Sequence, residues 1–286
     1  MTGFSAYARL FRIEHAAMLS AAVLIGILIS QNVEGAAIPL SMLALALLVP
    51  FFIEMGSFAL NDYFDVETDK ANKRKDRPIA SGEITERTAL LLALVAYVLG
   101  ILCAVPLPPS ALYIALLFAA LSLFYNWKLK LLPLVGNLYI AASMAIPFLF
   151  GNLIVSDSIS PQLWAIALVA FVAGLGREIV KSAEDVEGDV KHRNARTLPA
   201  LVGKKTSGQI AALLYAVLVP IAFLPFLFGL KTNILAAGLV ALAAISFAAM
   251  AYVVATDQKK ENLEACRKSS LLALGVGLLG YAASLI

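Results

Sequence analysis

Long apolar runs separated by short polar connections dominate the chain. A helix that crosses a bilayer needs about 20 predominantly apolar residues. Nine runs approach or meet that length, at roughly 16–31, 36–60, 88–105, 110–125, 131–155, 162–180, 207–229, 232–254 and 270–286. None alternates with the period of two that marks a barrel strand. The pattern predicts an all-α fold, a polytopic membrane helical bundle of nine transmembrane helices, in a single domain over 1–286. The first run follows an Arg-bearing stretch, but no small-residue cleavage pattern follows it, so it reads as a retained span.

Composition agrees: 61% of residues are hydrophobic and 14% charged, with a mean hydropathy of +0.87, far from the balance of soluble domains. Charge placement then orients the bundle. With nine spans, the loops after spans 2, 4, 6 and 8 share a side with the N-terminus. All but Lys231 of the 22 Lys and Arg residues fall on that side. Basic loops face the cytoplasm, which puts the N-terminus there and predicts a multi-pass cell-membrane protein. The net charge of +3 comes from bases interleaved with acids in short loops, with no nucleic-acid-binding motif, so nucleic acid is not an expected partner. Cys103 lies within a span and Cys266 on the cytoplasmic side, and no disulfide is expected.

Two cytoplasmic loops, about 61–87 and 181–206, hold most of the charge. Each opens with aspartates at the end of a span, continues with Lys and Arg, and reaches Pro78 and Gly82 in the first, Pro199 and Gly203 in the second. Four spans separate them, so both lie at one face. This suggests a weak internal duplication with a site between the halves. At 3.6 residues per turn, Asp62, Asp65 and Asp69 share one face of a helix that continues past Leu60, as do Asp185 and Asp189 on the other loop. Carboxylates crowded in this way call for a cation, and hard oxygen donors select Mg²⁺ or Mn²⁺. Mg²⁺ is commonly held by one or two carboxylates plus substrate phosphate oxygens, which suits two facing clusters gripping a diphosphate. Neither cluster has the loop of an EF-hand.

The stretch Asn61-Asp62-Tyr63-Phe64-Asp65-Val66-Glu67-Thr68-Asp69, followed by Arg77-Pro78-Ile79-Ala80-Ser81-Gly82, resembles the first signature of the UbiA superfamily of intramembrane prenyltransferases. Asp185-Val186-Glu187-Gly188-Asp189 resembles the second. The short form and basic loops are similar to the superfamily's archaeal ether-lipid branch, the digeranylgeranylglyceryl phosphate synthases. Arg12-Ile13-Glu14-His15 is similar to quinone-pathway members, which leaves an aromatic acceptor as the alternative. The resemblance implies Mg²⁺-dependent transfer of a prenyl group, such as geranylgeranyl, from its diphosphate to a membrane-associated acceptor. It assigns Asp62, Asp65 and Asp69 to one metal and Asp185 and Asp189 to the other. Asn61 is then an added ligand or diphosphate contact, and Arg77, Lys130 and Lys181 are the basic candidates. The second motif departs from the pattern at Ser182, where a third acid is common, and Glu178 and Glu184 are the candidates to replace it.

Glu54 stands two turns before Asn61 on nearly the same helical face, and an ionisable group at that depth marks a functional site by default. It is a candidate contact for the acceptor or a base for its hydroxyl, with a structural pairing to a neighbouring helix as the alternative. Phe51, Phe58, Tyr125, Tyr139 and Phe148 are candidates to shield a carbocation. A secondary transporter is the competing reading from another class. Carriers, however, usually place their carboxylates near the bilayer midplane, in broken helices, rather than at one face.

Overall fold

The computed structural model describes the backbone of residues 3–193 and 197–286 and the side chains of residues 3–186 and 197–286. Among them there are helices and a single 3-10 turn, and no strand. The helices are α1 (Phe4–Phe11), α2 (Ile13–Glu34), α3 (Leu40–Phe64), α4 (Val66–Ala71), α5 (Glu86–Ala104) and α6 (Pro109–Trp127), followed after the 3-10 turn Leu129–Leu131 by α7 (Val135–Val155), α8 (Pro161–Arg193), α9 (Leu198–Val202), α10 (Lys204–Ile221), α11 (Leu224–Leu227), α12 (Ile234–Thr256) and α13 (Lys260–Ala283). Eight described spans are long and apolar enough to cross a membrane: α2, α3, α5, α6, α7, α8 as far as Val186, α10 with α11, and α12. The ninth apolar run lies in α13. That helix opens with Lys260, Glu261, Glu264, Arg267 and Lys268 before turning apolar, and it packs along α12.

Local signals set the helix ends. Thr85 and Asn233 cap α5 and α12 by accepting hydrogen bonds from the backbone N–H of Thr88 and Ala236. Gly35 closes α2 in the left-handed region, which glycine enters without steric cost. Arg12 does the same between α1 and α2 without being glycine, with φ of 43°, and this turn aims its side chain toward the polar end of the bundle.

The two halves of the bundle pack alike. In the first half α2 packs on α3 and α3 on α5; in the second, α7 packs on α8 and α8 on α10. Gly56 on α3 lies against the ring of Tyr97 on α5, and Gly176 on α8 lies against the ring of Tyr215 on α10. Asp62 follows the first glycine by six residues and Ser182 follows the second by six, so Ser182 occupies the position that Asp62 holds in the first half. The halves meet where α2 crosses α7. A Cβ on Gly151 would stand 2.6 Å from the carbonyl oxygen of Val23, and one on Gly26 would stand 2.8 Å from that of Phe148. Backbones come this close only over glycine, as small residues allow between membrane helices.

Candidate functional site

The sequence element around Asp62 does not form one unbroken helix. α3 ends at Phe64, Asp65 takes φ −93° and ψ 1°, and α4 restarts at Val66. Backbone bonds still run from Asp65 N–H to Asn61 and from Asp69 N–H to Asp65, so the three aspartates stay on the same side of the chain. Among the described residues no three acids come together as a ready-made metal-ligand group, and cationic side chains engage the aspartates instead. Arg12 Nη2 and Arg77 Nη1 both donate to Asp62 Oδ1, at 2.9 and 2.6 Å. Arg77 Nε also faces Asp69 Oδ2 at 3.8 Å, and Lys130 Nζ donates to Asp65 Oδ1 at 2.7 Å. Asp62 is only 1% exposed, so its pairs are desolvated and its charge depends on them. Asp76 lies at the rim, where two hydrogen bonds from the Arg74 guanidinium hold its carboxyl below the usual carboxylate range.

These groups surround a cavity of about 1030 Å³, counting its open mouth, where helices of the two halves converge. Asn61, Asp65, Arg77, Lys130 and Glu54 line it from one side and Lys181 and Asp185 from the other. Seven of the predicted site residues thus share one space. Asp62 and Asp69 are held at its edge by Arg77. Asp189 lies outside the described side chains. The second motif is leaner, as the sequence suggests. Ser182 accepts a hydrogen bond from Asn137 Nδ2 at 3.1 Å. Glu184 turns away to pair with Arg267 of α13 at 2.7 Å, and Glu178 pairs with Arg177 at 2.5 Å and faces Lys181 at 3.7 Å. Of the two acids proposed to replace the one missing at Ser182, Glu184 is therefore committed to a helix contact. Glu178 lines the neighbouring space with Lys181, Ser182 and Asp185.

Three participants were not singled out as site residues from sequence. Arg12 belongs to the Arg-bearing stretch before the first span. It reaches Asp62 and lies 4.3 Å over the ring of Phe58. Asn126 is fully buried at the end of α6. It accepts from Asn61 Nδ2 at 3.1 Å and donates to the Ser122 carbonyl at 3.0 Å, fixing the orientation of Asn61. Its signal was a polar residue one turn after Ser122 in an otherwise apolar span. Arg74 lines the cavity with Arg77. Among the aromatic candidates, Tyr125 and Tyr139 stack at 4.5 Å on the cavity wall and Phe58 lies beneath Arg12. Phe148 belongs to the second-half core, and Phe51 packs edge-on against Phe52 outside the cavity. Cys103 and Cys266 are free thiols.

A second cavity of about 520 Å³ continues from the polar one. Its wall is apolar apart from Glu54, Ser122, Tyr139 and Ser143, and the two spaces share Glu54, Tyr139 and Ser143. Farther on, an apolar space of about 920 Å³ lies among α2, α7, α8, α10, α12 and α13 and shares Leu19 and Pro147 with the second. A charged head group with a long hydrocarbon tail has the matching polarity profile.

Residues 19–273 match the model of the UbiA prenyltransferase family. The chain belongs to that family. The digeranylgeranylglyceryl phosphate synthase of Archaeoglobus fulgidus is 38% identical over 278 residues, covering 95% of this chain and 92% of that one. A solved structure of digeranylgeranylglyceryl phosphate synthase superposes with a TM-score of 0.81 at 29% identity, covering 98% of each chain. A UbiA homologue from Archaeoglobus fulgidus, solved with GPP and Mg²⁺, shares the fold with a TM-score of 0.66 at 19% identity, over 97% of this chain and 99% of that one. The protein is thus a multi-pass membrane prenyltransferase of the UbiA fold.

Proposed function

We propose that this prenyltransferase moves a geranylgeranyl group from its diphosphate to geranylgeranylglyceryl phosphate, a step of ether-lipid synthesis, using Mg²⁺. The observation that carries the reading is the juxtaposition of aspartates and bases from both halves around one polar cavity that opens into an apolar one. The 38% identity to a synthase of that name supports the acceptor. We read the chain as one domain of nine spans, α13 supplying the last, with the N-terminus and the site at the cytoplasmic face. The basic residues clustered on one side of that topology support it.

The donor set suits the metal. It is all oxygen, and Asp62 Oδ2 is buried with no hydrogen-bond partner among the described residues, an orphan acceptor that a hard cation satisfies. Asp62, Asp65 and Asp69 would hold Mg²⁺ from the first half, Asp185 and Asp189 from the second, with Asn61 oriented by Asn126 as a further ligand or diphosphate contact. Bound there, Mg²⁺ supplies electrostatic stabilisation of the diphosphate leaving group. Arg77, Lys130 and Lys181, which line the cavity, would donate to the diphosphate oxygens and add to the same stabilisation as the allylic C–O bond breaks. Tyr125 and Tyr139 present ring faces to the cation left behind. Glu54 contacts the acceptor at the boundary of the two cavities.

The test is to incubate purified protein with Mg²⁺, labelled geranylgeranyl diphosphate and a panel of acceptors: geranylgeranylglyceryl phosphate, 4-hydroxybenzoate and dihydroxynaphthoate. The lipid acceptor should be prenylated and EDTA should abolish turnover. Product from the aromatic acceptors alone would move the protein to the quinone branch. Transfer and diphosphate binding unchanged in both Asp62→Ala and Asp189→Ala would overturn the site.

A further inference from the structure

Glu54 is the carboxylate that the metal and diphosphate roles leave over. It lies on α3 two turns deeper than Asp62, about 12 Å along the axis at 1.5 Å per residue. Its side chain lines the polar and the apolar cavity at once, so its accessible face looks inward and not toward lipid. Among the described residues no hydrogen bond or ion pair reaches its carboxylate, and the cation that acts on it is Arg12, which is itself bonded to Asp62. Holding an acid in the interior of a membrane bundle without a partner costs stability, and such groups are kept for function. Ser57, Ser143 and Tyr139 share its cavity wall and keep that end polar.

The depth also fits. Glu54 lines the wall where the polar cavity that would take the diphosphate passes into the apolar one. A hydroxyl placed to attack the prenyl carbon would then lie beside Glu54. Asp62 and Asp65 are already engaged by charged hydrogen bonds from Arg77 and Lys130.

We propose that Glu54 is the general base of the transfer, an inference that rests on the prenyl-transfer reading above. The acceptor hydroxyl oxygen forms the new C–O bond to the prenyl C1. The bond from C1 to the diphosphate breaks and its electron pair leaves with the diphosphate. The hydroxyl proton passes to the Glu54 carboxylate.

The experiment uses the full chain with Mg²⁺, labelled geranylgeranyl diphosphate and geranylgeranylglyceryl phosphate, and it counts both the ether product and free geranylgeraniol. In Glu54→Gln, transfer should fall by about 10²–10⁴-fold, the usual contribution of a positioned base. Diphosphate binding should stay within about twofold of wild type, and the ratio of free alcohol to ether should rise. Glu54→Asp should recover part of the transfer. The inference is overturned by transfer within threefold of wild type in Glu54→Gln, or by diphosphate binding that falls in step with transfer, which would assign Glu54 to donor binding or folding. Wild-type protein that prenylates no acceptor would sink the prenyl-transfer reading itself and this inference with it, an outcome distinct from a variant that keeps full activity.

Discussion

Replacing Arg77 by methionine tests whether the basic residues are built into the site's charge balance or merely lie near it. Arg77 donates at 2.6 Å to Asp62, which is almost fully buried, and its Nε faces Asp69 at 3.8 Å. Two unit charges about 4 Å apart attract by about 4 kcal/mol at the effective dielectric typical of proteins, and breaking a buried pair from one side costs about 3–5 kcal/mol. Arg12 shares the same oxygen of Asp62 and stays behind in the variant, so the expected loss falls below that range, at about 2–3 kcal/mol. At about 2–4 °C per kcal/mol for a chain of this order of size, the melting temperature should fall by about 5–10 °C. The assay is thermal unfolding in detergent with EDTA in every sample, followed by intrinsic fluorescence, with Asp62→Asn and the double variant completing a cycle. The two single losses should not add, and the coupling should lie in the range of about 0.5–3 kcal/mol found for contacting pairs. A melting temperature within 1 °C of wild type, or strict additivity in the cycle, would show that the Arg77–Asp62 contact is a surface-like pair without energetic weight.

Other perturbations reach different parts of the molecule. Gly151→Ala puts a methyl group 2.6 Å from the Val23 carbonyl oxygen and should destabilise the α2–α7 contact by about 1–3 kcal/mol, as overpacking does; an unchanged or raised melting temperature would contradict it. Ser182→Asp gives the second motif the acid that Asp62 provides in the first, with Asn137 Nδ2 in place to donate to it. The Mg²⁺ concentration giving half-maximal transfer should fall several-fold, and no change would argue that the position does not face the metal. Asn126→Ala frees Asn61 and leaves its half-buried amide without its partner, at about 1 kcal/mol. Its KM for the diphosphate should rise, and a normal KM would exclude Asn61 from donor binding.

The spans and the site were legible from sequence to different depths, for physical reasons. Apolar runs announce membrane helices because the bilayer imposes both their length and their composition, and the eight spans of the fold coincide with predicted runs. The break at Asp65 was not legible. Its φ and ψ belong to a region any residue can enter, and no Gly or Pro marks it. The aspartates were legible because crowded carboxylates are improbable without a cation. Their neutralisation by Arg12 was hidden, since a cation 50 residues away meets Asp62 only through the tertiary fold. Ser182 was visible as a departure. Its correspondence to Asp62 became concrete only when Gly56 and Gly176 were found against matching tyrosines.

The glycine contact between α2 and α7 bears on how the protein can move. α2 and α7 are the corresponding first helices of the two halves, so Gly26 and Gly151 weld the duplicated units backbone to backbone. Carriers built from repeats work by rocking one unit against the other about a central site. Here such rocking would have to open a seam in which main-chain atoms already touch. Alternation of the carrier kind therefore works against the packing of α2 on α7.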